Sequence, residues 1–196
     1  MELNSFRVEP VRYITARPFI EKLHYSHNTN GIAINYCFGL FSPRPEFFNI
    51  PEMIGACMYG FPSMNRQAMK WAPSNPKKCI ELRRLVCIDD TPKNTESFFI
   101  SKTLKWLKKN TDIEVVLSYA DPMYGHTGII YKASNFELVG RSAPGKILVI
   151  DGKRYHDRTL RNPKPYSKLL VERLKAKDPN IKWLETPSKY IYRYIL

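Results

Sequence analysis

The amino-acid sequence predicts a single mixed α/β domain, and three observations support this prediction. The chain has 196 residues, which is long enough for one domain and short for two. Hydrophobic residues make up 43% and charged residues 25%, a balance typical of globular proteins rather than disordered chains. Helical and extended hydrophobic patterns alternate in the middle of the chain, which favours a mixed sheet with helices on its faces.

The N-terminal part contains predicted strands and one short helix. An extended start leads into a helix at Ala16–His24, with Pro18 suited to its first turn. The apolar segments Ile32–Phe41 and Met53–Phe61 have strand composition and should pair as a hairpin across Ser42–Pro51.

The remaining chain alternates strands and helices. Glu81–Ile88 is a predicted central strand, and its turn-rich exit leads into a helix that Asn94 or Thr95 can cap and that ends at Lys108-Lys109. The other predicted elements are a strand at Glu114–Ala120, a short helix at Gly128–Ser134, extended structure at Phe136–Val139, a hairpin of Ile147–Ile150 with Lys153–His156, and a last strand at Lys189–Leu196.

The cysteines and the hydropathy pattern indicate a reduced protein that is not inserted in a membrane. Four cysteines lie in apolar surroundings without a C-x-x-C pair, so we expect reduced core thiols at Cys37, Cys57, Cys79 and Cys87. No apolar run approaches the roughly 18 residues that span a bilayer. The first 20 residues also lack the apolar stretch of a signal peptide.

Charge is the most informative bulk property. The chain carries 31 basic and 18 acidic side chains, a net charge of +13. Residues 141–196 hold 14 basic and 5 acidic side chains, a net +9, interleaved with five tyrosines and one tryptophan. This composition favours a nucleic-acid partner over the alternative of a solubilising surface.

One segment resembles the Gcn5-related N-acyltransferase superfamily. Residues Ile130–Phe136 are similar to its apolar–Tyr–three residues–Gly–Phe signature, with Asn135 in the glycine position. The resemblance implies an α/β fold with a mixed, mainly antiparallel central sheet flanked by helices. It also implies that Tyr131 donates a proton to the leaving group, although a tyrosine that merely anchors a helix explains the segment as well.

A wider set of motifs resembles the bacteriophage Mom family of DNA adenine-modification proteins. The motifs, in chain order, are Glu81-Leu82-Arg83-Arg84-Leu85, Asn94-Thr95-Glu96-Ser97, Ser118-Tyr119-Ala120-Asp121, Gly125-His126-Thr127-Gly128 and Tyr131. The likeness extends over most of the chain, from His24-Tyr25-Ser26-His27 to the basic aromatic end. It implies a transferase that converts adenine in double-stranded phage DNA to N6-carbamoylmethyladenine, protecting it from restriction nucleases in the cytoplasm of the infected or lysogenic bacterial host.

The resemblance assigns a catalytic set of Arg84, Asp121 and Tyr131. Adenine N6 is a poor nucleophile because its lone pair is delocalised into the ring, so Asp121 would accept or orient its proton. A turn-forming aspartate before Pro122 is the alternative. Arg84 follows Arg83 in an apolar strand, so period-two alternation sends the two guanidinium groups to opposite faces. We expect one of them to pair with a carboxylate such as Asp121, or with a phosphate.

The resemblance places a donor site at the loop before the second predicted helix, with Lys93, Asn94, Thr95 and Ser97 as its residues. No glycine occurs from Leu82 to Lys109, whereas superfamily members usually surround coenzyme A phosphates with a glycine-rich loop. Acetyl-CoA or a related donor is therefore a candidate that this departure weakens.

Further site residues are candidates for the substrate and for a metal. Tyr25, Tyr59 and Tyr119 could stack on an extruded base, with Ser118 and His126 nearby in sequence motifs. As core aromatics these tyrosines would be equally ordinary. His24 and His27 are candidates for a transition metal, although capping or DNA contact explains two histidines better.

The expected organisation is one N-acyltransferase-like domain over residues 1–196 with a basic, aromatic-rich part at about 141–196. Aromatic strands near the end could form a homodimer face, or serve the core. Two other functions stay open: an ordinary acetyl-CoA-dependent N-acetyltransferase acting on a protein or small amine, and a DNA-binding module without catalysis.

Overall fold

The structure is a computed structural model that describes residues 2–43, 52–161 and 164–196. The chain divides into two compact units. The first unit consists of Met1–Ala120, Gly128–Gly140 and Ile191–Leu196, and the second of Asp121–Thr127 and Arg141–Tyr190. The basic segment at about 141–196 thus falls mostly in the second unit, and a single domain over the whole chain stays a prediction.

Ten strands and five α-helices make up the described chain. The strands are β1 (Arg7–Pro10), β2 (Tyr36–Phe41), β3 (Met53–Gly60), β4 (Cys79–Cys87), β5 (Val115–Ala120), β6 (Glu137–Arg141), β7 (Gly145–Ile150), β8 (Lys153–His156), β9 (Ile181–Thr186) and β10 (Tyr190–Ile195). The helices are α1 (Tyr13–Leu23), α2 (Asn65–Trp71), α3 (Thr95–Asn110), α4 (Ile129–Lys132) and α5 (Pro165–Lys175).

The first unit is built on a seven-stranded sheet in the order β1-β2-β3-β4-β5-β10-β6. The pairs β1–β2, β2–β3 and β3–β4 are antiparallel, whereas β4–β5 is parallel. This confirms the mixed, mainly antiparallel sheet and the pairing of the second and third strands. Of the predicted hairpin connection Ser42–Pro51, residues 44–51 lie outside the described chain.

Helices cover both faces of this sheet because β2 and β3 carry apolar side chains on both faces. On one face α1 packs through Ala16 and Ile20 against Cys37 and Met58. On the other face the Tyr59 hydroxyl hydrogen-bonds Thr103 of α3 at 2.6 Å. Because both faces of β3 are buried, its residues form a continuous apolar run instead of alternating between apolar and polar.

Several boundaries differ from those that the sequence predicts. Helix α1 begins at Tyr13, so Pro18 lies inside the helix rather than in its first turn. Asn94 precedes α3 but makes no side-chain capping bond to any described residue. Helices α2 and α5 and strand β9 were not predicted. Helix α5 has apolar helical spacing, but that pattern is short and interrupted by many basic residues.

The second unit contains a three-stranded antiparallel sheet in the order β8-β7-β9. Its core consists of Leu148 and Ile150 of β7 packed against Leu170 of α5. Arg173 of α5 forms ion pairs with Asp151 at 2.8 Å and Asp178 at 2.7 Å. These pairs join α5 to the turn between β7 and β8 and to the segment before β9.

The four cysteines are free thiols, as predicted. Cys37, Cys57 and Cys79 are buried, whereas Cys87 is half-buried. Burial raises the pKa of Cys37 to about 11 and those of Cys79 and Cys87 to about 12, which keeps these thiols protonated at neutral pH. Within the described ranges, none of the helices has the length and apolar character needed to cross a membrane.

Gly128 provides a sharp test of packing in the first unit. Its φ is +81°, and an added Cβ would overlap the ring of Tyr192. Gly125 has a similar φ of +75° but open space around it. Left-handed geometry costs a non-glycine residue about 1–2 kcal/mol, and overpacking adds about 1–3 kcal/mol. We therefore expect Gly128→Ala to lower the free energy of unfolding by clearly more than Gly125→Ala, measured by denaturant unfolding. Equal losses in the two variants would contradict the tight contact with Tyr192.

Candidate active site

The candidate site lies where the parallel pairing of β4 and β5 ends. Pairing runs from Cys79 beside Val115 to Leu82 beside Ser118, while β4 itself continues to Cys87. On its other side, β4 has a break in register with β3, because Met58 pairs with Arg84 and the next residue pairs with Leu82. Arg83 is thereby the extra residue of a β-bulge. Bulges redirect side chains and often occur next to active sites.

Tyr131 of α4 reaches this region of the first unit. Its side chain hydrogen-bonds Ser118, and its ring packs against Tyr192 and Phe136 with centroids 5.3 and 5.7 Å apart. Burial raises the pKa of Tyr131 to about 12; the hydrogen bond with Ser118 lowers this pKa, whereas the nearby Tyr25 phenol and Glu81 carboxylate raise it. The phenol is therefore protonated at neutral pH, which suits a proton donor.

The backbone around α4 explains how the asparagine replaces the signature glycine. Asn135 adopts φ +62°, the left-handed region that glycine favours and that asparagine tolerates better than most residues. The amide of Phe136 then donates to the Tyr131 carbonyl at 2.9 Å, which closes the helix end. The same turn geometry is thus reached without glycine.

The two arginines of β4 have different partners. Arg83 has only 6% of its side chain exposed, lies 3.7 Å from the Glu81 carboxylate and donates to the Phe61 carbonyl. Arg84 donates to the main-chain carbonyls of Asn28 at 3.2 Å and Arg83 at 2.7 Å. Within the described chain Arg84 forms no ion pair, so the expected carboxylate partner belongs to Arg83 and is Glu81, not Asp121.

Glu81 affects the pKa values of several groups in this site, and it was not among the functional residues predicted from the sequence. Burial lowers the pKa of Arg84, while the nearby Tyr25 phenol and Glu81 carboxylate raise it. Burial raises the pKa of Tyr119 to about 12, and Glu81 contributes to that shift too. An acidic residue two positions before a pair of arginines in an otherwise apolar strand is the sequence signal that could have identified it.

We expect Glu81→Gln to lower the pKa of Tyr131. The Glu81 charge opposes formation of the phenolate, so its removal favours deprotonation. With ¹³Cζ-labelled tyrosine, the wild-type Tyr131 signal should stay constant through about pH 10, where an ordinary tyrosine is half-ionised. The signal should begin to shift at lower pH in Glu81→Gln. Glu114→Gln is the control, because Glu114 pairs with Lys78 at 2.5 Å. Identical titration of Tyr131 in the two variants would contradict the role of Glu81.

Asp121 follows β5 and belongs to the second unit. It is nearly buried; its Oδ1 accepts from the Met123 amide at 3.0 Å, and its Oδ2 lies 2.8 Å from Lys189 Nζ. The turn-forming role considered for Asp121 is therefore real, and it coexists with an ion pair. His126 is exposed, and its amide donates to the Asp121 carbonyl at 3.2 Å.

The substrate candidates separate into exposed and buried groups. Tyr25 is 44% exposed and lies against His24, with ring centroids 4.2 Å apart, so it can offer a face to a base. Tyr59 is fully buried, which contradicts its predicted stacking role. Ser118 is fully buried as well, and its hydroxyl contacts Tyr131 and the Leu82 carbonyl, so it positions Tyr131 instead of binding substrate. Tyr119 is half-buried.

The loop before α3 supports the donor site only in part. Lys93 is exposed, and Asn94 adopts φ +71°, so asparagine again takes a conformation that glycine favours. Thr95 is fully buried, and its hydroxyl donates to the Pro92 carbonyl, which contradicts its predicted contact with a donor. Ser97 is half-buried, and its hydroxyl donates to the Asn94 carbonyl at 3.0 Å.

The histidine pair finds no further metal ligand in the part of the chain that the structure describes. His24 Nδ1 accepts from the Ser26 amide at 3.1 Å, and His27 Nδ1 donates to the Glu21 carbonyl at 3.0 Å. Among the described residues, no three His, Cys, Asp or Glu side chains are grouped so that they could hold a metal ion.

Comparison with solved structures shows the fold. The chain is similar to a GCN5-related N-acetyltransferase from Kribbella flavida, with a TM-score of 0.54, 7% identity and complete coverage of both chains. It is also similar to Arabidopsis thaliana NAA60, solved in complex with acetyl-CoA, with a TM-score of 0.53, 12% identity, and coverage of 97% of this chain and 98% of that one. The predicted Gcn5-related N-acyltransferase-like fold is thereby confirmed.

Sequence comparison shows the family. The chain is 31% identical over 161 residues to methylcarbamoylase Mom of Escherichia phage Mu, which corresponds to 80% of this chain. The matched region spans 62% of the length of that relative. Residues 5–196 match the Mom protein family, which covers nearly the whole sequence and all the residues of the candidate site. The chain therefore belongs to the Mom protein family.

Proposed function

We propose that this chain is a transferase that places a carbamoylmethyl group on the exocyclic N6 of adenine in double-stranded phage DNA. The observation that carries the proposal is membership of the Mom family across residues 5–196. The name of the phage Mu relative, a methylcarbamoylase, supports the transferred group. The product would protect phage DNA from restriction nucleases inside the bacterial host.

The reaction breaks an N6–H bond and forms an N6–C bond, while the donor loses a leaving group. Asp121 accepts the proton that N6 loses. Tyr131 gives its phenolic proton to the leaving group, a role that its protonated state at neutral pH supports. Arg84 holds developing negative charge, because its guanidinium is cationic and forms no ion pair in the described chain.

The target adenine leaves the duplex stack before it reacts, because enzymes that do chemistry on a paired base extrude that nucleotide into the active site. Tyr25 is the stacking residue of this proposal, since it is exposed and supported from behind by His24. The influence of Tyr25 on the pKa values of Arg84 and Tyr131 supports this role.

The donor would be of the acyl-CoA class. The fold favours this class because NAA60, which shares it, is solved with acetyl-CoA. Lys93 and the start of α3 would hold the phosphates, with Asn94 supplying the left-handed turn. Glu96 in the first turn opposes this binding, so the fit is partial. Attack of N6 on the thioester carbon of acetyl-CoA would form an N6-acetyl amide, so acetyl-CoA alone does not account for a carbamoylmethyl group, which is joined to N6 through a methylene carbon and contains an amide nitrogen.

Homodimerisation stays a prediction, and the position of the last strand gives no support to a dimer face there. Strand β10 lies between β5 and β6, so both of its edges are paired within the sheet. Ile191 and Tyr192 of this strand are buried. Burial of these two residues supports the alternative that the sequence left open, in which the C-terminal aromatic pattern serves the core.

Nucleoside mass spectrometry of DNA from a bacterial host that expresses the chain tests the proposed function. We expect a deoxyadenosine that carries one carbamoylmethyl group, and its absence from cells with empty vector. Unmodified DNA together with acetylation of a protein or small amine would establish an ordinary acetyltransferase. Salt-dependent DNA binding with unmodified nucleosides under every donor condition would establish a binding module. Either result would overturn the proposal.

A further inference from the structure

The second unit has a surplus of cations that its own acids do not neutralise. It holds 13 basic and 6 acidic side chains. Most of the described acids are already in ion pairs: Asp121 with Lys189 at 2.8 Å, Asp151 and Asp178 with Arg173, and Glu185 with Lys146 at 3.4 Å. The unit therefore has a net positive charge that favours an anionic partner.

In the three-stranded sheet of this unit, one face packs on the apolar core and the other face carries cations. Leu148 and Ile150 point towards α5, so their neighbours Ile147 and Val149 point to the other side. Val149 pairs with Lys182 on one side and Arg154 on the other, so all three share this second face. We name it the open face, defined by Ile147, Val149, Arg154, Lys182 and Leu184.

The open face has a cation on each outer strand and an apolar centre. Arg154 and Lys182 are exposed, whereas Ile147 and Val149 are half-buried between them. No acidic side chain among the described residues shares this face, because Glu185 alternates to the side of α5. Lys182 forms no ion pair with a described residue. Two strand spacings separate the two cationic strands, roughly 10 Å.

The open face continues into the loop that carries Asp121. Arg154 donates to the Tyr124 hydroxyl at 3.2 Å, and its guanidinium lies 5.9 Å from the centre of that ring. Tyr124 ends the short helical turn that begins after Asp121. The Asp121 carboxylate accepts from the Met123 amide, and the Asp121 carbonyl accepts from the Tyr124 amide, so both hold the turn. A guanidinium has five N–H donors, so this contact leaves Arg154 able to bind a further acceptor.

We propose that the open face docks the sugar–phosphate backbone of double-stranded DNA, with Arg154 and Lys182 binding phosphates. The proposal rests on the proposed function for its choice of DNA as partner. The spacing of the two cations suits a duplex, whose major groove is about 12 Å wide between phosphate walls that flexible arginine and lysine side chains can reach. Docking here positions DNA beside the loop of Asp121 without reading its sequence.

The test compares two variants with equal loss of charge. Arg154→Gln with Lys182→Gln removes the cations of the open face. Lys168→Gln with Lys175→Gln removes two exposed cations of α5 and serves as the control. Binding of the full chain to a fluorescein-labelled duplex is measured by anisotropy over a series of KCl concentrations. Each phosphate contact contributes about 0.9 to the slope of log affinity against log salt.

We expect the open-face variant to bind at least tenfold more weakly at low salt, with a salt slope reduced by about 2, while the control stays close to wild type. Equal weakening of the two variants would show a general charge effect and overturn the proposal. Wild-type binding by the open-face variant would overturn it as well. Polyglutamate that competes as well as unlabelled duplex would also overturn it, because the surface would then be a general polyanion site.

The outcome can be separated from that of the proposed function. If the wild-type chain leaves DNA unmodified but the open-face variant loses duplex affinity, the docking surface stands and the transferase function fails. If the wild-type chain modifies adenine but both variants bind the duplex equally well, the function stands and the docking surface is refuted.

Discussion

Replacing Tyr131 by phenylalanine is expected to lower adenine modification by about 10²-fold or more, the usual contribution of general acid catalysis. The substitution removes the phenolic proton and the hydrogen bond to Ser118 but retains the ring that packs against Tyr192 and Phe136. Modified deoxyadenosine is quantified by mass spectrometry, and the thermal unfolding midpoint and duplex affinity are measured on the same samples.

Tyr194→Phe is the matched control for this experiment. Tyr194 also packs against Phe136, with centroids 5.3 Å apart, and it loses the same hydroxyl. We expect this variant to modify DNA at the wild-type level. Full activity of Tyr131→Phe would remove the phenol from the chemistry, whereas a large drop in its unfolding midpoint would assign the residue to packing alone.

Replacing Asp121 by asparagine is expected to abolish adenine modification while duplex binding persists. Asparagine has the same shape, and its oxygen can still accept from the Met123 amide. It cannot accept a proton as a base, and it cannot form the ion pair with Lys189. The readouts are modified deoxyadenosine and duplex anisotropy, which separate loss of chemistry from loss of binding.

Asp178→Asn controls for the loss of an ion-paired aspartate in the same unit. Asp178 also accepts from a main-chain amide two residues later, at 2.9 Å, and pairs with an arginine. We expect this variant to be somewhat less stable but to modify adenine at the wild-type rate. If Asp121→Asn modifies DNA normally, Asp121 is only a turn residue. If both variants lose modification in proportion to lost stability, the effect belongs to folding.

The local hydrophobic pattern was sufficient to predict the central strands and the long helix of the fold. The strands β4 and β5 and the helix α3 were all predicted to within two residues at each end, because long apolar stripes bounded by turn residues indicate the type of element. The ordered motifs also indicated the family correctly, since they combine residue types at set spacings. The charge surplus at the C-terminal end was visible in composition alone.

Contacts between distant parts of the chain could not be inferred in this way. Asp121 pairs with the distant Lys189 rather than with an arginine of β4, and the bulge at Arg83 breaks the alternation on which the expected pairing depended. The sequence also predicted the same stacking role for Tyr59 and Tyr25, yet Tyr59 is buried under α3 and Tyr25 is exposed. Burial depends on which elements cover a strand, and periodicity does not report that.

The sequence thus determined which residues are available for chemistry, because side-chain type sets charge, proton affinity and stacking ability. Tertiary packing decided the environment of these residues: burial raises the pKa of the Tyr131 phenol, and Lys189 pairs with Asp121. Packing also decided that cations of β8 and β9 share one sheet face, which follows from strand register. Register and desolvation arise from long-range contacts, so they become visible only when the chain has folded.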